Sequence, residues 1–78
     1  IVDSLAWALF RLGRTEEALQ NIRRAVALVP SPEAEILEHY GDIAAAAGQK
    51  EEARKAYEQA LKLKPANAES LRQRLGDL

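Results

Sequence analysis

The sequence predicts an all-α chain of antiparallel helix hairpins closed by one further helix. Three observations carry this. First, Ala, Leu, Glu, Arg, Lys and Gln dominate the 78 residues, while aromatic residues make up 5%; these are strong helix formers, and strands lack their usual β-branched and aromatic material. Second, the chain repeats. A shift of 35 aligns residues 1–30 with 36–65 and superposes Ile1 on Ile36, Gly13 on Gly48, Glu16 and Glu17 on Glu51 and Glu52, Ala18 on Ala53, Ala25 on Ala60, Leu28 on Leu63 and Pro30 on Pro65. Third, glycine and proline fall at regular places, where they punctuate helices instead of interrupting them.

The elements follow in order. Val2, Leu5, Ala6, Leu9 and Leu12 recur at three- and four-residue spacing and predict a first helix with an apolar stripe. Gly13 ends it, because glycine adopts the left-handed conformation that closes helices. A second helix is expected from Thr15, a candidate N-cap, to Val29. Glu16 and Glu17 suit its positive end, and Ala18, Leu19, Ile22, Ala25, Val26 and Val29 form its stripe. Pro30 closes it. Ser31-Pro32-Glu33 is a start signal, serine as N-cap and proline at the first position, for a third helix over 32–47. Its inward residues are Ile36, Leu37, Tyr40, Ile43, Ala44 and Ala47, and Gly48 stops it. A fourth helix is expected over 50–63, with Ala53, Ala56, Tyr57, Ala60 and Leu61 inward and Pro65 beyond its end. Asn67 is placed as the cap of a fifth over 68–76, with Leu71, Leu75 and Leu78 inward. Alanine at 18, 25, 53 and 60 marks crossing points where helices approach closely, and larger side chains there would cost roughly 1–3 kcal/mol. Tyr40 and Tyr57 then fill the spaces between neighbours.

These positions resemble the tetratricopeptide repeat, a unit of about 34 residues with a large residue, a Leu-Gly-like pair, a glycine turn, alanine, an aromatic, alanine and proline. Residues 34–67 resemble one full unit through Leu37, Tyr40-Gly41, Ala44, Gly48, Ala53, Tyr57, Ala60 and Pro65. Residues 1–33 resemble a unit lacking its first residues, through Val2, Leu5-Ala6, Leu9, Gly13, Ala18, Ile22, Ala25 and Pro30. Residues 68–78 resemble the lone helix that seals a last repeat. The resemblance implies one domain over 1–78, a right-handed α-α superhelix with a C-terminal capping helix. Asp3-Ser4-Leu5-Ala6-Trp7 with Phe10, and His39-Tyr40-Gly41-Asp42, are similar to the closing repeats of long bacterial tetratricopeptide proteins, many of which sit in the cell envelope. The start on Ile1 suggests a piece of such an array. The compartment stays open.

Composition limits the chemistry. Formal charge is −1, so no net field recruits nucleic acid. The basic pairs Arg23-Arg24 and Lys62-x-Lys64 are interleaved with glutamates, as in the expected pairs Glu51–Lys55 and Glu58–Lys62. No apolar run approaches the roughly 20 residues of a membrane span. No cysteine and one histidine leave no thiolate metal site, no EF-hand spacing or glycine-rich phosphate loop is present, and no cofactor is implied. Ser4 and His39 stand at equivalent helix positions, but no base-orienting group or oxyanion hole accompanies them, so the chain is expected not to be an enzyme.

What the resemblance implies is binding of a protein or peptide along the concave face made by the first helix of each pair. The family's groove positions fall on Asp3, Ser4, Trp7, Phe10 and Arg11, then Glu35, Glu38, His39, Asp42 and Ala45, then Glu69, Arg72 and Gln73. Members that grip a chaperone's C-terminal carboxylate use lysine, asparagine and arginine at such positions. Here Asp3, Trp7, His39, Glu69 and Gln73 stand instead, so that clamp is absent. The candidate binding residues are Asp3, Trp7, Phe10, Arg11, Glu35, Glu38, His39, Asp42 and Arg72. Glu35, Glu38 and Asp42 form either an acidic groove for a basic or neutral ligand or a solvated face. Trp7 and Phe10 are either a ligand anchor or packing for a preceding repeat, and His39 is expected as a solvated surface residue. Exposed apolar surface on the first helix makes a homodimer or domain swap plausible. The alternative to a binding module is a purely structural terminal cap of a longer array.

Overall fold

The computed structural model describes residues 2–63 and 65–78, the side chains of Val2, Asp3 and Ser4 excepted. Expectations about Ile1, the side chains of Val2, Asp3 and Ser4, and Lys64 lie outside the described residues. Among the described residues five helices follow one another: α1 (Val2–Arg11), α2 (Thr15–Leu28), α3 (Ala34–Ala46), α4 (Lys50–Lys62) and α5 (Ala68–Gly76). α1 pairs with α2, and α3 pairs with α4. α3 also rests on α2 and α1, and α5 rests on α4. The result is the all-α superhelical stack of hairpins that the repeat predicts.

Both hairpins turn in the same way. Gly13 and Gly48 have φ of 86° and 82°, a region that side chains other than glycine's rarely adopt. In each turn the residue after the glycine donates back across it, Arg14 N–H to the Leu9 carbonyl and Gln49 N–H to the Ala44 carbonyl, both at 2.9 Å. This tight closure shifts one predicted boundary. Arg14 takes the N-cap position of α2, and Thr15 becomes its first helical residue without capping it.

The start of α3 differs more. Ser31 and Pro32 lie before the helix, and Glu33 is the N-cap, extended at φ −76° and ψ 158°. The pair that reads as a start signal is used instead to carry the chain from the end of α2 to the next hairpin. A proline whose N–H has no helical partner suits such a link equally well. Asn67 does hold the N-cap position of α5, but its side chain does not cap. Its amide is turned to Glu38 of α3.

The core is small-residue packing at the crossings. Ala6, Ala18, Ala44, Ala53 and Ala60 are fully buried, with Ile22, Ile43 and Leu71 as the largest side chains enclosed. Three stripe residues are not inward: Leu5 is 52% exposed, Leu12 74% and Val29 40%. The reason is positional. The repeat places Leu5 and Leu12 where α3 carries Tyr40 and Ala47, which are half-buried because α3 has the first hairpin beneath it. α1 has nothing described on that side.

Candidate functional site

The candidate binding residues fall into groups set by their contacts. On α1, Trp7 and Phe10 sit one turn apart with ring centroids 5.3 Å apart and tilted. Trp7 also lies flat against His39 of α3, at 4.2 Å with the rings 19° from parallel. His39 is therefore not a solvated surface residue. It is half-buried under the indole and forms part of the α1–α3 contact. Trp7 and Phe10, half-buried, pack against the core within the described chain. Both readings offered by the sequence placed their contacts outside it.

The acids form the second group. Glu38 and Asp42 are one turn apart on α3, and Arg74 of α5 lies between them. Its Nη1 donates to Glu38 Oε1 at 2.7 Å and to Asp42 Oδ2 at 3.1 Å. Asn67 donates to the other Glu38 oxygen at 2.7 Å. The Tyr57 hydroxyl of α4 donates to Asp42 Oδ1 at 2.5 Å. Burial alone would raise the Glu38 carboxyl, but the Asn67 and Arg74 hydrogen bonds outweigh it and hold Glu38 below the usual range. Burial also opposes the charge on Arg74, and the two acids more than offset it. Burial, reinforced by the bond to Asp42, pushes the Tyr57 hydroxyl well up. The acids are thus neither an open acidic groove nor a solvated face: they tie α3, α4 and α5 together.

A matching cluster joins the two hairpins on the other row of helices. Arg23 of α2 grips Glu52 of α4 with both arms of its guanidinium, Nε to Oε2 at 2.7 Å and Nη2 to Oε1 at 2.6 Å. The Tyr40 hydroxyl of α3 donates to the same carboxylate. Arg23 lowers the Glu52 carboxyl, while burial and the bond to Glu52 push the Tyr40 hydroxyl up to about 12. Arg23 is held protonated more firmly than usual, chiefly by that hydrogen bond.

The remaining candidates stand apart from these clusters. Arg11 is exposed at the end of α1. Glu35 borders a cavity of about 240 Å³ with Val29, Glu33 and Ile36. Arg72 lines an open polar hollow of about 450 Å³ on α5 with Glu69, Ser70 and Gln73. Asp3 lies outside the described side chains. Sequence reasoning missed Arg74, Arg23 and the two tyrosine hydroxyls as a connecting set. Their separations along the chain from the acids they bond, 36 for Arg74–Glu38, 29 for Arg23–Glu52, 12 for Tyr40–Glu52 and 15 for Tyr57–Asp42, share no period that the sequence could have shown.

Among the described residues no group of three or more His, Cys, Asp or Glu side chains could hold a metal ion, and no helix is long and apolar enough to cross a membrane. No curated protein matches the chain. A family model described as tetratricopeptide repeat matches residues 4–68. With its glycine-turned hairpins and alanine crossings, the chain belongs to the tetratricopeptide repeat family, whose repeats generally mediate protein–protein interaction and typically lack catalysis of their own.

Proposed function

We propose that the chain is a non-enzymatic interaction module that binds a peptide or protein segment along the concave face lined by α1, α3 and α5. The observation that carries this reading is how that row is held. Trp7 on His39 fixes α1 to α3, and Arg74 between Glu38 and Asp42 fixes α3 to α5. A surface locked before binding loses little conformational freedom on binding, and that raises affinity without added area. Of the candidate residues, Arg11, Glu35 and Arg72 are exposed charges beside this row and would supply selectivity. The edges of Trp7, Phe10 and His39 left accessible would supply apolar contact.

The test is a random-peptide selection on the purified chain, repeated on a variant carrying Arg11→Glu and Arg72→Glu. Peptides enriched on the parent should bind the variant at least about tenfold more weakly, with its thermal midpoint unchanged. Enriched peptides that bind both equally would remove the face from consideration. One observation favours a second reading, a structural terminal cap. Leu71 is fully buried and Arg74 is ion-paired, while the rest of α5 is largely polar. If selection yields no peptide at all, the cap reading gains.

A further inference from the structure

At the link between the hairpins, where α2 ends and α3 begins, two cavities share Val29 as a wall. The smaller, about 240 Å³, is lined by Val29, Ile36, Glu33 and Glu35. The larger, about 460 Å³, has Val26, Leu37, Leu63 and Lys62 among its lining. Val29 is 40% exposed and Leu63 52%. Thus aliphatic side chains that helix packing would ordinarily enclose line two adjoining hollows. The charges around them are sorted. The acidic pair stands at one end, Glu33 at the N-cap of α3 and Glu35 in its first turn, beside the end of α2, which has no basic residue in its last turn. The cation stands at the other.

We infer that this groove docks a short segment of another protein carrying two aliphatic side chains, with a lysine or arginine beside the first. The first side chain enters between Val29 and Ile36 and brings its neighbouring cation against Glu33 and Glu35. The second fills the hollow over Leu37 and Leu63, and an acid following it faces Lys62. Each end of such a segment meets the opposite charge, which sets its direction as well as its composition. This surface shares only Glu35 with the α1–α3–α5 face, so either can fail without the other.

The probe is the acetylated, amidated peptide Arg-Leu-Ser-Gly-Leu-Glu, titrated into the isotope-labelled chain while methyl resonances are followed by NMR. Saturable shifts are expected at Val29, Ile36 and Leu63. Replacing the probe's arginine by glutamate, or both leucines by serine, should weaken binding at least about tenfold. Glu33→Lys should do the same, and Val29→Asp should abolish the shifts. Both positions are exposed, and unchanged thermal midpoints would confirm that the variants fold. Equal binding of the acidic peptide overturns the proposal, as do methyl shifts confined to Leu9 on α1 or no saturable shift. Concentration-dependent shifts of Val29 and Leu63 without peptide would overturn it too, by assigning the groove to a second copy of the chain.

Discussion

The two hairpins share a backbone plan and differ at their crossing. In the first, Ala6 and Ile22 are both fully buried at positions that the repeat equates with Gly41 and Tyr57 in the second. The second hairpin fits a much larger side chain by removing the Cβ opposite it. A methyl group on Gly41 would run into the Cδ1, Cε1 and Cζ atoms of the Tyr57 ring. The following position changes in step. Asp42 accepts the Tyr57 hydroxyl, whereas its equivalent Trp7 belongs to a hairpin whose isoleucine has no hydroxyl to satisfy, and stacks on His39 instead. The three exchanges together turn an aliphatic crossing into a polar-tipped one. The repeat conserves the volume of the crossing and lets the chemistry at its edge vary.

The largest expected effect comes from uncoupling that set. Gly41→Ala should destabilise the protein by about 1–3 kcal/mol through overpacking, even though alanine favours helix by about 1 kcal/mol. The ring cannot swing aside, because it is buried and its hydroxyl is held by Asp42. In a Tyr57→Ile background the obstacle is gone, and the same Gly41→Ala change should stabilise. Thermal melts of the four proteins check this. The same sign in both backgrounds would mean that the crossings are not volume-matched.

Breaking the second junction comes next. Arg74→Met should cost about 1–3 kcal/mol, because Glu38 and Asp42 lose their shared cation and are left as neighbouring like charges. The loss should be local: amide exchange in residues 68–76 should accelerate more than in α2. Uniform acceleration would show that α5 does not open on its own.

The two junctions should also fail together in acid. Glu38 and Glu52 both titrate below the ordinary carboxyl value of 4.5 in the folded chain. Their contribution is complete above that value and is lost as pH falls through the folded one. Urea midpoints should therefore drop below about pH 4.5, and Glu52→Gln should flatten part of the drop. At the alkaline end the sign reverses. Tyr40 titrates near 12 when folded against 10.0 when free, so its contribution is full below pH 10.0 and fades as pH rises towards 12. Tyr40→Phe should remove part of that decline, the Tyr57 hydroxyl, also held up by burial and Asp42, supplying the rest.

Helix order, both glycine turns and the alanine crossings were legible in the sequence because each depends on local rules: period, left-handed glycine and side-chain size. Boundaries were misread where one local signal serves two uses, as Ser31-Pro32 does. The clusters were illegible for a different reason. Glu38 reads as a groove acid until α5 is laid across α3 and brings Arg74 to it. His39 reads as solvated until Trp7 covers it. Contacts between repeats are set by the angle at which hairpins stack, and that angle is not written in any one repeat.

The smallest effect on stability should come from the outer face of α1, and it sharpens the comparison with α3. Leu5 and Leu12 are exposed where Tyr40 and Ala47 are half-buried. Replacing both leucines by glutamate should shift stability by no more than about 0.5 kcal/mol, since neither contributes to the core. What should change is association. An exposed leucine pair on one helix face favours self-contact, and the parent chain should show a mass that rises with concentration in sedimentation equilibrium. The double Leu5→Glu, Leu12→Glu variant should remain at 8.6 kDa. If parent and variant associate equally, self-contact does not run through α1, and the Val29–Leu63 groove becomes the surface to examine. If both stay monomeric, the α1 face is exposed without being adhesive, and the difference between α1 and α3 is one of covering alone.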